Sequence, residues 1–435
     1  MDASELDSVG PRDHDRDWRR RYASLLASVP ALAASARPVL AGYSAFVDAY
    51  VRLDDAAALF SPDAPEPAVR LAGELVARLR SGTGGEYLID WPSGDAWLAA
   101  NLAHSTGAGG TSAQLAKALA LLGAPVLLAL ADRSPAQIDV LSGDILVAER
   151  GGPRRLAEVA PDPGHAKARH WIFESTAGAE IAGETVQRST RVIVRLVDDA
   201  PENDPDFAVL SAMMAADCGA AALSSLVSTP DAILPTVLAR VAGLARSWRS
   251  AGLGLVHIEL ADYGPRPHLP MRILEALSGI VTSVGMSLSE WKVIGGGQPV
   301  ESVALADFAR RHGLSRLCIH ADDFALAVTA GDPKREELAL LTGCLLAGAR
   351  AAAGQPVLPA AVADEAVFSR LPDFGAAAED FHTIACPAPW LRRPASTIGL
   401  GDTFLAGTML VLSQPLGSGL NDDSFPDHPI KELSI

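Results

Sequence analysis

Short apolar runs alternate with longer segments of helical periodicity along most of the 435-residue chain. Residues 39–43 predict a buried strand, residues 112–122 a helix that ends at Gly123, and residues 125–131 the next strand. Further predicted strands lie at 220–227, 254–259, 281–286, 317–320 and 325–329, and further predicted helices near 18–29, 56–81, 230–251, 271–278 and 303–312. This order predicts a parallel sheet with right-handed crossovers.

Two segments in the middle of the chain depart from this alternation. Residues 171–174 and 190–196 alternate in polarity or are β-branched, with Gly178 and Gly183 between them. They predict two antiparallel strands inserted into the α/β pattern, as a lid would be. The polar ends, residues 1–17 and 416–435, predict no regular structure. The pattern therefore favours an α/β protein with a second, smaller β-rich unit.

Composition narrows the classes of function. Hydrophobic residues make up 49% of the chain and charged residues 20%, which is typical of a folded globular protein. A net charge of −16 argues against general nucleic-acid binding, because phosphate backbones require a basic surface. The apolar stretch 113–130 is interrupted by Lys117, Gly123 and Pro125, so we expect no membrane span there. With a charged N-terminus and four widely spaced cysteines, we expect a cytoplasmic protein with reduced cysteines.

The most informative motif lies near the C-terminus. Gly399, Leu400 and Gly401 precede Asp402, and an apolar run over residues 404–412 follows, so we predict a loop that opens into a buried helix. Glycines let backbone N–H groups approach an anion, and a helix N-terminus adds partial positive charge. Asp402 in the first turn is suited to take a proton from an attacking alcohol. The alternative is an ordinary capping aspartate.

The Gly-Leu-Gly-Asp-Thr run at residues 399–403 resembles the anion-hole and base motif of ribokinase-like sugar kinases. Residues 396–403 look most like the ADP-dependent glucokinase and phosphofructokinase branch, and the resemblance extends over residues 39–412. It implies a ribokinase-like fold with a mainly parallel sheet flanked by helices and a smaller β-rich lid. The implied large domain comprises residues 1–47, 101–167 and 200–435, and the implied lid comprises 48–100 and 168–199.

Candidate acceptor residues lie near the first strand and its neighbouring glycines. Asp48 closes the run 42–48, and its carboxylate is able to accept hydrogen bonds from sugar hydroxyls, although a turn aspartate is the local alternative. Residues 106–110 predict a glycine loop, and its Gly109 and Gly110 precede a helix, where a polar ligand can approach closely. Dinucleotide binding is the weaker interpretation, because the third glycine of that fingerprint is missing. The resemblance implies that Asp48, Gly109 and Gly110 hold a sugar, and that Glu86 accompanies glucose.

A second set of residues points to a divalent cation. His257 and Glu259 end a predicted strand on one face, and Glu290 follows the strand at 281–286. An ion pair for Glu259 and a helix cap for Glu290 are the alternatives. The resemblance implies that Glu259 and Glu290 organise Mg²⁺ or another divalent cation, and that His320 lies on the nucleotide side. Ser287 stands where the family carries asparagine.

Arg191 opens the second predicted lid strand, and guanidinium groups bind phosphate in a bidentate manner. The resemblance implies that Arg191 reaches the transferred phosphate; an exposed strand arginine is the alternative. We therefore expect an ADP-dependent sugar kinase, a monomer or small homo-oligomer, that converts glucose to glucose 6-phosphate and AMP. An ADP-dependent 6-phosphofructokinase, an ATP-using kinase of the same fold and a catalytically silent sugar- or nucleotide-binding protein remain open.

Overall fold

A computed structural model describes residues 11–197, 201–224, 226–264 and 266–415 of the chain. Within these residues the helices are α1 Pro11–Ser35, α2 Glu66–Ser81, α3 Gly94–Asn101, α4 Thr111–Leu122, α5 Pro135–Asp139, α6 Pro205–Met214, α7 Leu234–Ser250, α8 Leu269–Leu277, α9 Leu288–Ile294, α10 Ser302–Arg311, α11 Pro333–Ala353 and α12 Leu400–Leu412. The strands are β1 Val39–Gly42, β2 Phe46–Arg52, β3 Gly85–Leu88, β4 Ser105–Gly109, β5 Val126–Leu128, β6 Leu146–Glu149, β7 Gly152–Arg155, β8 His170–Ser175, β9 Glu180–Ile181, β10 Glu184–Thr185, β11 Thr190–Arg195, β12 Ala220–Leu223, β13 Val256–Glu259, β14 Ser283–Ser287, β15 Arg316–His320, β16 Phe324–Thr329 and β17 His382–Pro387.

The large sheet has ten strands in the order β17-β16-β15-β14-β13-β12-β1-β5-β6-β7. The seven strands from β15 to β6 run parallel, and β7, β16 and β17 are antiparallel strands at the two sides. The predicted α/β architecture with a mainly parallel sheet flanked by helices is therefore confirmed.

Alternate side chains of the central strands enter two different cores. Ala41 of β1 faces a core that α1, α4, α11 and α12 build, whereas Leu40 faces the opposite core with α7 and α8. The strands are buried on both faces, which explains why they appear in the sequence as continuous apolar runs. Parallel sheets bind ligands beyond the carboxyl ends of their strands. We therefore expect a ligand site near the loops after β1, β12, β13 and β14.

The small sheet has five strands in the order β3-β11-β8-β2-β4. Its β8 and β11 are antiparallel neighbours, as the sequence predicts. One face packs on α2 through residues such as Trp171, Phe173 and Val192. The other face, which we call the inner face, carries the alternate positions of the same strands: Asp48, Tyr50, Glu86, His170, Arg191 and Arg195.

Two expectations about the small sheet need correction. The glycine loop expected at residues 106–110 is largely strand β4, which pairs with β2 and lies in the small sheet. Asp48 does not lie in a turn after β1 but within β2. Strand β4 was not predicted because its Ser, Thr, Gly and Ala residues carry no strand signature of their own.

The N-terminal helix also begins earlier than the sequence predicts. Residues 11–17 belong to α1, and Asp15 pairs with Arg19 one turn later at 2.8 Å. Pairs four residues apart stabilise an exposed helical turn, so the charged composition does not prevent helix formation. The predictions for residues 1–10 and 416–435 lie outside the described residues.

Helices α11 and α12 pack closely beneath the centre of the large sheet. A Cβ at Gly343 would lie 2.6 Å from the Phe404 ring, and one at Gly407 would lie 2.6 Å from the Thr342 carbonyl oxygen. Glycine at both positions therefore lets the two helix backbones approach. This contact holds the first half of α12 against the middle of α11.

Across the described ranges, none of the helices combines the length and apolarity that a bilayer crossing requires.

The four cysteines, Cys218, Cys318, Cys344 and Cys386, are all buried.

Candidate active site

The glycine motif forms the turn that opens α12. Gly399 adopts a left-handed conformation with φ 65° and is the N-cap, and the Thr403 N–H donates to its carbonyl at 3.0 Å. The N–H groups of the first helical residues, Leu400 and Gly401, have no acceptor within the helix, so they are suited to receive an anion. Asp402 lies in this first turn and is partly buried.

Several charged groups surround Asp402. Burial raises the pKa of its carboxyl group, the Arg350 guanidinium opposes that rise, and a hydrogen bond with Thr111 opposes it further. A carboxylate that is desolvated but still opposed by a cation is suited to a general base. Arg191 reaches the same region from the small sheet, because its Nη1 donates to Thr397 Oγ1 at 3.2 Å.

Asp48 lies close to the same turn. Its side chain is 7% exposed, and a Cβ at Gly109 would lie 1.9 Å from Asp48 Oδ1, so only glycine fits beside it. The Tyr50 hydroxyl donates to Asp48 Oδ2 at 3.3 Å. Burial raises the Asp48 pKa to about 6; His170 and Tyr50 oppose the rise, whereas Asp402 adds to it. We call Asp48, Gly109 and Gly110 the acceptor cradle.

The Gly110 backbone completes this cradle. Its φ is 83°, and a Cβ there would lie 2.9 Å from the Ser44 carbonyl group. It is also the N-cap of α4. The predicted set of Asp48, Gly109 and Gly110 is therefore brought together at one helix N-terminus and faces Asp402.

The sequence reasoning missed two residues of this region. His170 of β8 is the register partner of Asp48, and its ring stacks on Phe46 with centroids 4.2 Å apart. The alternation of β8 would have revealed it, since His170 shares the polar phase with Glu174. The other is Arg350 in the last turn of α11, for which the local sequence gives no signal.

Glu86 does not join the acceptor cradle. It lies on β3, three strand spacings or roughly 14 Å across the small sheet from β2. Its Oε2 lies 3.2 Å from Arg195 Nε, so the carboxylate neutralises a cation of the inner face. Burial raises the pKa of Tyr263, and Glu290, Glu259 and Glu86 raise it further, so Glu86 lies toward those two carboxylates.

Glu259 is held by two histidines at the carboxyl end of β13. Its Oε2 lies 2.9 Å from His257 Nε2, and its Oε1 lies 3.1 Å from His320 Nε2. Burial disfavours ionisation, but the hydrogen bonds from both imidazoles outweigh it and hold the pKa of Glu259 at about 2. A Cβ at Gly285 would lie 2.1 Å from Glu259 Oε2, so glycine is required beside it. Glu259 therefore keeps its negative charge throughout the physiological range.

Glu290 caps helix α9. The Ser287 N–H donates to Glu290 Oε2 at 2.7 Å, and the Glu290 N–H donates to Ser287 Oγ at 3.2 Å, which forms a capping box. The Glu290 pKa is raised to about 7, mainly by burial; Glu259 contributes to the rise and His320 opposes it. Ser287, the departure from the family pattern, therefore satisfies the helix end. One oxygen of Glu290 remains outside the box.

These carboxylates fit a divalent cation that keeps most of its water. Within the described ranges, no group of three or more His, Cys, Asp or Glu side chains has metal-binding geometry. Glu259 and Glu290 are both buried and repel each other electrostatically. Such a pair suits Mg²⁺, which is held by one or two carboxylates together with waters and substrate phosphates. His320 adjoins this pair and the glycine turn, since a Cβ at Gly401 would lie 3.1 Å from its ring.

No protein-family model matches the sequence, and no curated protein sequence matches it. Solved structures do match. An ADP-dependent kinase in complex with fructose-6-phosphate and ADPβS has a TM-score of 0.73 at 18% identity, over 96% of this chain and 100% of that chain. The last common ancestor of ADP-dependent phosphofructokinases from Methanosarcinales has a TM-score of 0.68 at 18% identity, over 95% and 99%. A phosphofructokinase from Pyrococcus horikoshii OT3 with AMP has a TM-score of 0.67 at 19% identity, over 87% and 98%. The chain therefore has the fold of these kinases.

Proposed function

We propose that the protein is an ADP-dependent sugar kinase, which transfers the β-phosphate of ADP to a sugar hydroxyl and releases AMP. The observation that carries this proposal is the convergence of Asp402, the glycine turn and Arg191 on the side of α12 that faces the acceptor cradle. The fold shared with an ADP-dependent kinase over 96% of the chain supports it. Such a kinase would act in the cytoplasm.

The acceptor sugar is bound by Asp48 and the backbone of Gly109 and Gly110, with His170 beside them. Asp402 accepts the proton of the attacking sugar hydroxyl. As it does so, the sugar oxygen bonds to the β-phosphorus of ADP, and the bond between that phosphorus and the AMP oxygen breaks. The N–H groups of Leu400 and Gly401, together with Arg191, stabilise the charge on the transferred group. Closure of the small sheet over the site limits hydrolysis by water.

Glu259 and Glu290 would hold Mg²⁺ or another divalent cation through waters and the ADP phosphates. When bound, this cation neutralises charge on the phosphates. His320 holds the Glu259 carboxylate in place and lies against Gly401, so it would border the nucleotide phosphates.

We propose glucose as the first acceptor. Three cations in or beside the small sheet are already bound to carboxylates: Arg195 to Glu86, Lys167 to Glu202 and Arg169 to Asp95. To bind a phosphorylated acceptor, one of these cations must give up its carboxylate and contact the phosphate instead. A neutral hexose requires only hydrogen-bonding groups. Glu86 would thus favour glucose by neutralising Arg195, without contacting the sugar.

Fructose 6-phosphate is the second candidate. It occupies a structure of the same fold, and Arg195 Nη1 is buried with no hydrogen-bond partner among the described residues. If Arg195 turned from Glu86, it would provide a site for the 6-phosphate. Glu86→Ala should then raise the kcat/KM ratio of fructose 6-phosphate to glucose.

The test is a panel of ADP and ATP as donors against glucose and fructose 6-phosphate as acceptors, with AMP and sugar phosphate both quantified. The proposal expects AMP and glucose 6-phosphate in equal amounts from ADP. Transfer from ATP alone would identify an ATP-using kinase. Binding of ADP and glucose without product would identify a silent binding protein.

A further inference from the structure

Arg350 is a buried cation between three helices. It lies in the last turn of α11 and is 4% exposed. Its Nη1 donates to Gln114 Oε1 of α4 and to Thr403 Oγ1 of α12, both at 2.9 Å. One guanidinium group thus joins the helix after the acceptor cradle to the helix after the glycine turn.

Gln114 continues this connection on the cradle side. Its Nε2 donates to the Ala108 carbonyl oxygen, one residue before Gly109. The Gln114 amide is therefore fixed at both ends, by Arg350 and by the β4 backbone. A continuous chain of hydrogen bonds runs from the Ala108 backbone, next to the cradle, through Gln114 and Arg350 to Thr403.

The guanidinium also lies directly against the glycine turn. A Cβ at Gly399 would be 2.4 Å from Arg350 Nη2 and 2.5 Å from its central carbon. The left-handed Gly399 is therefore required by the contact as well as by its φ of 65°. The arginine supports the backbone whose N–H groups open toward the site.

Within the described residues, the hydrogen-bond partners of Arg350 do not include the carboxylate that usually stabilises a buried arginine. Its partners are a neutral amide and a hydroxyl, and its Nε is buried with no hydrogen-bond partner among the described residues. A buried charge without a bound carboxylate is costly to folding. The carboxylates of Asp48 and Asp402 lie close enough to interact with it electrostatically. This arrangement favours a role in the site over a role in stability.

We infer that Arg350 is a positioning residue that sets the separation between the acceptor cradle and the glycine turn through Gln114 and Thr403. The inference rests on the proposed function, since those two parts are assigned to the two substrates. A displacement of about 1 Å between reacting groups is enough to lower a rate about 100-fold. The arginine acts through the cradle and the turn and contacts neither reacting atom.

Arg335 provides a matched control. It lies on α11 as well, and its Nη2 donates to the Leu412 and Gln414 carbonyl oxygens at the far end of α12, both at 2.7 Å. Arg335→Met therefore removes an α11–α12 arginine contact of similar kind at a distance from the site. We expect Arg350→Met to lower kcat about 100-fold with KM for sugar and ADP changed less than about threefold, and Arg335→Met to leave kcat unchanged. Added guanidinium ion should restore part of the lost kcat in Arg350→Met only.

Hydrogen exchange provides a readout that does not depend on activity. In Arg350→Met, backbone amides of residues 107–112 and 397–405 should exchange at least about tenfold faster, whereas Arg335→Met should leave both segments unchanged. Equal effects from the two variants, or unchanged exchange in Arg350→Met, would overturn the inference. If the parent protein shows no phosphoryl transfer, the proposed function fails while the exchange result still decides the positioning role. If Arg350→Met does not fold, the double variant Gln114→Leu/Thr403→Val is measured instead, with the same expected and contradicting results.

Discussion

Arg191 of the small sheet and Thr397, two residues before the glycine turn, are joined by a hydrogen bond of 3.2 Å from Nη1 to Oγ1. This contact brings a guanidinium group from the small sheet to the residues that lead into α12. The Thr397 carbonyl oxygen lies 3.4 Å from the same nitrogen. The small sheet therefore contacts the residues before the turn at this point, and a phosphoryl group at the turn would lie within reach of a cation from the small sheet.

Replacing Arg191 with methionine should lower kcat about 100-fold, because it removes charge stabilisation that develops in the transition state. Arg52 is a suitable control, since Arg52, Glu174 and Arg191 are register neighbours across β2, β8 and β11. Arg52 is exposed and pairs with Asp54. Steady-state kinetics of both variants provide the measurement. Equal rates in Arg191→Met and Arg52→Met would remove Arg191 from the mechanism.

Gly399 and Gly296 have nearly the same φ, 65° and 66°, but different surroundings. A Cβ at Gly399 meets Arg350, whereas one at Gly296 has nothing within 4 Å. Gly296→Ala should therefore cost only the left-handed strain, about 1–2 kcal/mol of unfolding free energy, with kcat unchanged. Gly399→Ala should cost more and abolish transfer, because the Arg350 side chain or the turn must move. Urea unfolding and kinetics check both, and a Gly399→Ala enzyme with parental kcat would contradict this account.

Asp48 should make the protein less stable at high pH. The Asp48 pKa is raised by burial to about 6 from a usual value of 3.8, so the folded state binds this proton more tightly than the unfolded state. The contribution to folding is fully present below about pH 4, decreases as the pH rises from about 4 to 6, and is lost above about pH 6. Asp48→Asn should therefore increase the unfolding free energy at pH 8 by up to about 3 kcal/mol, with little effect near pH 4.

The same substitution should weaken the sugar site, because an amide cannot accept hydrogen bonds at both of its terminal atoms. Urea unfolding at pH 4 and pH 8 separates the two effects. A loss of stability in Asp48→Asn that is equal at both pH values would show that the carboxylate is not desolvated as described.

Ser287 should matter for helix α9 more than for the cation. Ser287→Ala removes one bond of the capping box and should cost about 1 kcal/mol of unfolding free energy. Ser289→Ala is the control, because the Ser289 hydroxyl contacts the Ser287 hydroxyl at 2.9 Å but takes no part in the box. A Ser287→Ala protein as stable as Ser289→Ala would mean that the box contributes nothing.

The part of the fold that the sequence predicts is the part with local signals. The strand β1, the helix α4 and its end at Gly123 follow from apolar periodicity and a left-handed glycine cap. Strand β4 could not be predicted in this way, because Ser105–Gly109 becomes a strand only by pairing with β2 across the small sheet. Asp48 lies within β2, which pairs with both β4 and β8, so the alternative of a turn aspartate does not hold.

The site follows the same division. Residues 399–402 carry a glycine and acid pattern that can be recognised along the chain, whereas Arg350 contacts Gln114 from 236 residues away and has no neighbouring motif. Glu86 is a second example. The resemblance implies a role for it in glucose use, and strand order places it beside Arg195, three strands from Asp48. Long-range register, which sequence periodicity does not contain, decides both cases.

The most direct test of the central claim is the release of AMP and sugar phosphate from ADP and sugar by the parent protein and by Asp402→Asn. An amide cannot accept the hydroxyl proton, so the variant should retain ADP binding while kcat falls by about 10² to 10⁴. Parental turnover in Asp402→Asn would contradict the assignment of Asp402 as the base and, with it, the proposed kinase mechanism.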